Sequence, residues 1–238
     1  MSFIIYPAID LRGGKVVRLK EGDPARMTAY SPDPAAMAQR WLDAGANWLH
    51  VVNLDGAFGE SDNANRAALQ AILKLGAQVQ FGGGLRSLDA IAQTLALGVS
   101  RVVLGTIAIE QPDVVAEALK KFGAKKIAVG IDARDGLVRV RGWKDDSGIS
   151  ATDLTIQMRT LGLGTVIFTD ISRDGLGSGL NIQSTRELAE VSGLDVIASG
   201  GVHTLDDVIA AKDARLAGVI VGRALYEGTL DLERALQV

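Results

Sequence analysis

The chain repeats itself at half its length. AIDLRGGKVVRL, starting at Ala8, matches GIDARDGLVRVR, starting at Gly130. LDG at Leu54–Gly56 matches RDG at Arg173–Gly175, FGGGLRSLDAI from Phe81 matches ASGGVHTLDDV from Ala198, and VVLGT at Val102–Thr106 matches VIVGR at Val219–Arg223. The four matches keep their order, and their separation drifts only from 122 residues (Asp10 to Asp132) to 117 (Gly83 to Gly200). A unit this long is not a solenoid repeat. It predicts two homologous halves, approximately 1–122 and 123–238. Neither half alone would close its sheet edges, so the two are expected to complete one sheet together.

Short Val- and Ile-rich runs supply that sheet. They lie at Ile4–Asp10, Trp48–Leu54, Gln78–Phe81, Val102–Leu104, Ile127–Asp132, Val166–Thr169, Val196–Ala198 and Val219–Val221. Nearly continuous hydrophobicity is the mark of parallel strands buried on both faces. Amphipathic segments separate them. Asp33-Pro34 reads as a helix N-cap with proline in the first turn, Ser87 and Thr204 open two further helices, and Pro112 starts one that runs to Phe122. Eight strands alternating with about eight helices in 238 residues predict an α/β chain folded as a (β/α)8 barrel, a TIM barrel built from two half-barrels. An open doubly wound sheet is the alternative. No Pro- or Ser-rich linker divides the chain, so residues 1–238 are expected to form a single domain.

Composition removes several classes of chemistry. There is no cysteine, which excludes disulfides, zinc–thiolate sites and thiol catalysis. Two histidines, His50 and His203, make a poor metal site, and none is expected. A net charge of -3 gives no electrostatic case for nucleic acid or an anionic membrane. No stretch reads as a signal peptide or a spanning helix, so a cytoplasmic location is expected.

In a (β/α)8 barrel the loops after the strands share one face, where chemistry sits. Glycines let backbone N–H groups approach an anion, and a following helix N-terminus adds partial positive charge. Gly83, Gly84 and Arg86, with Gly105 and Thr106, form one expected phosphate grip after strands three and four. Gly200 and Gly201, with Gly222 and Arg223, form the other after strands seven and eight. The loop from Asp174 through Gly177 to Gly179 is placed to close over the second grip. Tight turns alone would explain one glycine pair. Two matched sets on opposite sides of the ring point instead to a ligand phosphorylated at both ends.

The repeat also places Asp10 and Asp132 at the ends of strands one and five, across the ring from each other. One carboxylate on each side of the ligand's middle is a general acid/base arrangement, with turn capping as the plainer role. An acid working near neutral pH needs a raised pKa. Thr169 ends strand six, where it can orient a reacting group; Asp174 follows in the loop. Arg18 and Arg141 occupy corresponding arms after strands one and five, and Trp143 is an aromatic in a polar loop, suited to stacking on a planar ring and excluding water. His50, taken alone, reads as a core histidine. Loops around Gly22, Gly148 and Gly177 are expected to close on substrate.

Together, PAIDLRGGKVVRL, VVNLDGAFG, FGGGLRSLD, VLGTIAIEQPD, GIDARDGLVRVRGW, FTDISRDGLGSG, VIASGGV and VIVGRALYEG resemble the phosphoribosylformimino-AICAR-phosphate isomerase family of histidine biosynthesis, from Ile5 through Gly228. The resemblance implies an Amadori rearrangement of an aminoaldose to an aminoketose, with no metal or organic cofactor. It makes Asp10 the general base and Asp132 the general acid, gives Thr169 an assisting role, and adds Arg18, His50, Arg141 and Trp143 as ligand contacts. The implied partner is a small bisphosphate substrate, and the expected assembly is a monomer. Asn53 stands where the family commonly has Asp, and Lys20-Glu21 where it commonly has Tyr-Gln. Alternatives are a dual isomerase that also takes phosphoribosylanthranilate, the related cyclase of the same pathway, and a non-catalytic barrel that binds a sugar phosphate. The cyclase normally has cysteine where this chain has Ala8.

Overall fold

The computed structural model describes residues 3–20, 22–143 and 145–238; Glu21, half of the Lys20-Glu21 departure, lies outside them. The eight expected strands are present: β1 Ile4–Arg12, β2 Trp48–Asn53, β3 Gln78–Gly82, β4 Arg101–Leu104, β5 Ile127–Arg134, β6 Thr165–Asp170, β7 Asp195–Ser199 and β8 Gly218–Val221. Among the described residues they pair in parallel in chain order, and the ring closes where β8 meets β1 through Ile4↔Gly218 to Pro7↔Val221. The two halves meet again at β4 and β5, with Val102↔Ile127 in register. The fold is a (β/α)8 barrel, and the open sheet is ruled out by that closure.

The strands form because their side chains are buried on both faces. Ile5, Ile9 and Leu11 of β1, with Leu49 and Val51 of β2, face the helices and join one large core. A second, smaller cluster fills the barrel interior: Tyr6, Ala8, Ile167, Ile197 and Ile220, with Trp48 and Val103 packed on it. Local signals set the helix starts. Asp33 accepts from Ala36 N and Ser87 from Ala90 N, while Thr204 and Asp207 form a reciprocal capping box. Pro112 opens the helix Pro112–Phe122. Strand β2 stops at Asn53, one residue earlier than its hydrophobicity suggests, because the Asn53 side chain caps the short helix Leu54–Phe58 by accepting from Gly56 N.

The segments after β1 and β5 are not open loops. Lys15–Lys20 folds back antiparallel on β1 and pairs with Asp23–Ser31. Leu137–Val140 does the same on β5 and pairs with Asp145–Ser150. Each half therefore raises an antiparallel hairpin above the same end of the barrel. Gly148 lies within the second of these strands, exposed, rather than at a flexible tip.

Candidate functional site

At the C-terminal ends of the strands lies a cavity of about 260 Å³. Asp10, Asp132, Thr169, Arg18, His50 and Trp143 all line it. The hairpins position two of them. Arg18 comes from the strand paired with β1, opposite Thr28, and Trp143 from the turn after Val140.

Asp10 projects at the height where β1 pairs with Val52 of β2. Arg18 Nη1 donates to Asp10 Oδ2 at 2.8 Å, and Arg18 Nη2 stands 3.9 Å from Asp174 Oδ1. One guanidinium thus serves two carboxylates, all three side chains at most 17% exposed. Burial pushes the Asp10 pKa above its ordinary value; Arg18 opposes the shift and Asp174 adds to it. Burial likewise raises Asp174, against Arg18 and a backbone hydrogen bond from Gly175.

Asp132 has a different neighbourhood. Thr169 is its register partner on β6 and hydrogen-bonds its carboxyl group. Trp143 Nε1 donates to Asp132 Oδ2 at 2.7 Å. Burial raises the Asp132 pKa; the two hydrogen bonds oppose the shift, and the Asp174 charge adds to it. Asp10 is therefore held by a cation and Asp132 by neutral donors. To reach it, Trp143 adopts φ 69°, two residues after Arg141 at φ 55°. Left-handed backbone at a non-glycine residue stores about 1–3 kcal/mol and clusters at functional sites. The indole also covers Gly22 of the first hairpin, where a Cβ would come within 2.4 Å of Trp143 Cε3. The two hairpins thus meet above the cavity.

The glycine pairs serve the backbone before they serve any ligand. At Gly83 a Cβ would sit 2.1 Å from the Asn53 carbonyl oxygen, and at Gly201 2.2 Å from that of Gly179. Both glycines have positive φ, 105° and 94°. In each half the pair is pressed against the preceding βα loop, which is the tight-turn role. Gly105 differs, since nothing lies within 4 Å of a Cβ there. The grip after β3 and β4 opens into the main cavity with Gly83, Gly84, Arg86 and Thr106. Arg86 meanwhile donates to Ala57 O at 3.1 Å. Arg141 flanks this grip: its backbone N–H donates to Thr106 Oγ1, while its exposed guanidinium is engaged by Glu110 at 2.9 Å and Asp145 at 3.4 Å.

The second grip is a recess of about 20 Å³ bounded by Gly177, Gly200, Gly201, Gly222 and Arg223. It is narrow because Arg18 lies over Gly222, where a Cβ would meet Nη2 at 2.4 Å. Arg223 Nη1 donates to Gly175 O at 2.6 Å, tying the loop after β6 to the start of the last short helices. Below that loop Asp170 accepts from Ser172 and Asn181 and fixes its path.

His50 is not a solitary core histidine. Its Nδ1 lies 3.0 Å from Gln80 Nε2, Gln80 Oε1 accepts from Arg101 Nη2 at 2.6 Å, and Arg101 also donates to Tyr6 OH at 3.0 Å. Arg101 stacks over Trp48 and Tyr6, with 5.1 and 5.7 Å to the ring centroids. Burial and the charges of Arg18 and Arg101 push the His50 pKa down to about 3. Sequence reasoning passed over Tyr6, Gln80 and Arg101. The available signal was two polar side chains, Gln80 and Arg101, at strand positions that burial on both faces should make apolar. Among the described residues, no three His, Asp or Glu side chains converge as metal ligands would. No described helix is long and apolar enough to cross a membrane.

Residues 4–231 match the family model described as histidine biosynthesis protein. The chain is 50% identical to a protein of Rhizorhabdus wittichii over 100% of this chain and 99% of that one. It is 48% identical to one of Syntrophobacter fumaroxidans, covering 98% and 92%, and 47% identical to one of Syntrophomonas wolfei, covering 98% and 97%. Each of the three bears the name 1-(5-phosphoribosyl)-5-((5-phosphoribosylamino)methylideneamino) imidazole-4-carboxamide isomerase.

Proposed function

The chain belongs to the histidine biosynthesis protein family, and from that premise we propose that it is the isomerase its relatives are named for, converting the aminoaldose bisphosphate to its aminoketose by an Amadori rearrangement. The observation that carries the reading is the unlike pair of buried carboxylates across one cavity, Asp10 on a guanidinium and Asp132 on neutral donors. A grip at each side suits the two phosphates of such a substrate.

The partners also support a division of labour. Arg18 at 2.8 Å favours the charged form of Asp10, the form a general base needs. Asp132 has no cation among its partners in the described residues and holds its proton more readily, as a general acid must. In this reading Asp132 gives its proton to the ribose ring oxygen, the C1'–O bond opens, and a protonated Schiff base forms. Asp10 then takes the C2' proton, the electron pair of that C–H bond becomes the C1'=C2' double bond, and the C=N π pair moves onto the iminium nitrogen and neutralises it. The resulting enolamine tautomerises to the ketose. Thr169 and Trp143 keep the Asp132 carboxyl aimed. A monomeric assembly and a cytoplasmic location are proposed with it. The matched carboxylates and grips also support two homologous half-barrels.

A second assignment rests on Asp174. It faces the same cavity, its pKa is also raised by burial, and it shares Arg18 with Asp10. In that case Asp174 would be the acid and Asp132 a positioning group. Purified protein assayed with the aminoaldose bisphosphate decides both questions. Asp10→Asn and Asp132→Asn should each lose roughly 100-fold or more in kcat, with Asp174→Asn losing less. Deeper loss in Asp174→Asn than in Asp132→Asn moves the acid to Asp174. Wild type that binds the bisphosphate and leaves it unchanged overturns the isomerase reading.

A further inference from the structure

Beneath the carboxylates, one polar chain runs through the barrel interior and ends at the cavity: Tyr6, Arg101, Gln80, His50. Gln80 is fully buried, Tyr6 is 2% exposed and Arg101 is 9% exposed. Of the four, only His50 lines the cavity. The order of donors along the chain is fixed by chemistry. A guanidinium can only donate. The Gln80 atom that meets Arg101 at 2.6 Å is therefore the amide oxygen, and the amide nitrogen must face His50. That nitrogen also only donates, so His50 Nδ1 has to accept. The single proton of a neutral imidazole is then on Nε2.

We propose that Gln80, backed by Arg101 and Tyr6, is a positioning residue that holds His50 in the Nε2–H tautomer as a fixed neutral donor at the cavity floor. This rests on the isomerase reading for its consequence: His50 donates to an oxygen acceptor of the sugar that lies between the two grips, and takes no part in proton transfer. Protonating His50 would put an N–H against the Gln80 amide N–H, and would set a third cation beside Arg101 on β4 and Arg18 on the first hairpin. The register explains the height. His50 pairs with Ala8 and Gln80, one layer below Asp10, which pairs with Val52. His50 therefore lines the cavity at a level beneath the base.

The chain has two histidines, so nitrogen NMR can read this directly in full-length protein labelled with 15N-histidine. His50→Asn assigns the spectrum by deleting one imidazole. The expected result is an Nε2–H pattern for His50 that does not change between about pH 8 and about pH 5, a range that spans an ordinary histidine's titration. Gln80→Leu should lose the single tautomer and lower kcat by roughly tenfold with a smaller change in KM. Gln80→Glu, which places an acceptor at Nδ1, should move the proton to Nδ1 or charge the ring. An Nδ1–H pattern or titration in wild type overturns the proposal. So does an unchanged His50 spectrum in either folded Gln80 variant. Wild type that shows the expected tautomer but no isomerase activity supports the tautomer assignment and sinks the functional reading instead.

Discussion

Trp143 reaches from its hairpin turn to donate Nε1–H to Asp132 Oδ2 at 2.7 Å. That bond favours the charged carboxylate and partly offsets what burial does to Asp132. The same indole covers Gly22, so the acid's environment is complete only when the hairpins touch.

Trp143→Phe keeps a ring over Gly22 and deletes the donor. The Asp132 pKa should rise further. The alkaline limb of the kcat profile, where the acid loses its proton, should shift to higher pH, while kcat itself falls roughly tenfold from the lost aim. A pH–rate series on the two proteins checks it. An alkaline limb moving to lower pH would contradict the hydrogen bond's role.

Gly22→Ala places a methyl carbon 2.4 Å from Trp143 Cε3 at a backbone φ of 71°. The hairpins cannot then meet as they do here. Expected are a changed Trp143 emission, a raised KM and a stability loss of about 1 kcal/mol. Fluorescence and thermal unfolding of the variant measure each part.

Asp132→Asn should trade activity for stability. The folded carboxyl has a raised pKa, so the folded protein binds protons that the unfolded chain has released. Its stabilising effect is fully present below the unfolded value of 3.8 and is lost as pH rises through the higher folded value. Above the folded value the charged, buried group is a liability, and there the neutral amide should raise Tm by roughly 2–4 °C. The gain should shrink as the pH is lowered toward 3.8, where wild type carries the proton. Melting curves across that range test the sign.

Gly105→Ala and Gly201→Ala separate the two uses of glycine. A Cβ at Gly105 meets nothing within 4 Å, whereas at Gly201 it meets the Gly179 carbonyl oxygen at 2.2 Å. The first variant should melt like wild type yet raise KM roughly tenfold by intruding on the phosphate. The second should lose about 1–3 kcal/mol of stability. A Gly105→Ala protein with an unchanged KM would show that β4 ends in no phosphate grip.

The barrel was legible because its strands carry Val and Ile on both faces and its helices open on Asp, Ser, Thr and Pro at the right spacing. The hairpins were not, because Asp23–Ser31 is exposed along most of its length and has no alternation to read. Asp10, Asp132 and Thr169 could be named from the repeat and the resemblance, and they do line one cavity. The repeat does not carry function at its second pair of aspartates. Asp55 and Asp174 are equivalent in sequence, but Asp55 accepts from Gly13 N in a turn, whereas Asp174 faces Arg18 in the cavity. Equal motifs acquire unequal roles because Arg18, which sets the second, comes from a segment distant in the chain. Asn53 shows the converse: the departure from the family pattern is a helix cap that also bonds Asp62 and Asn65, away from the proposed chemistry.

The packed interior below His50 closes the cavity from beneath. Tyr6, Ile197 and Ile220 fill the floor, and Arg101 lies against both Tyr6 and Trp48. Whatever enters must come from the loop face above the strand ends, and whatever is made must leave by the same face. Arrival and departure therefore alternate: a waiting substrate is turned back until the previous product has gone, and product in the surroundings competes for the same face.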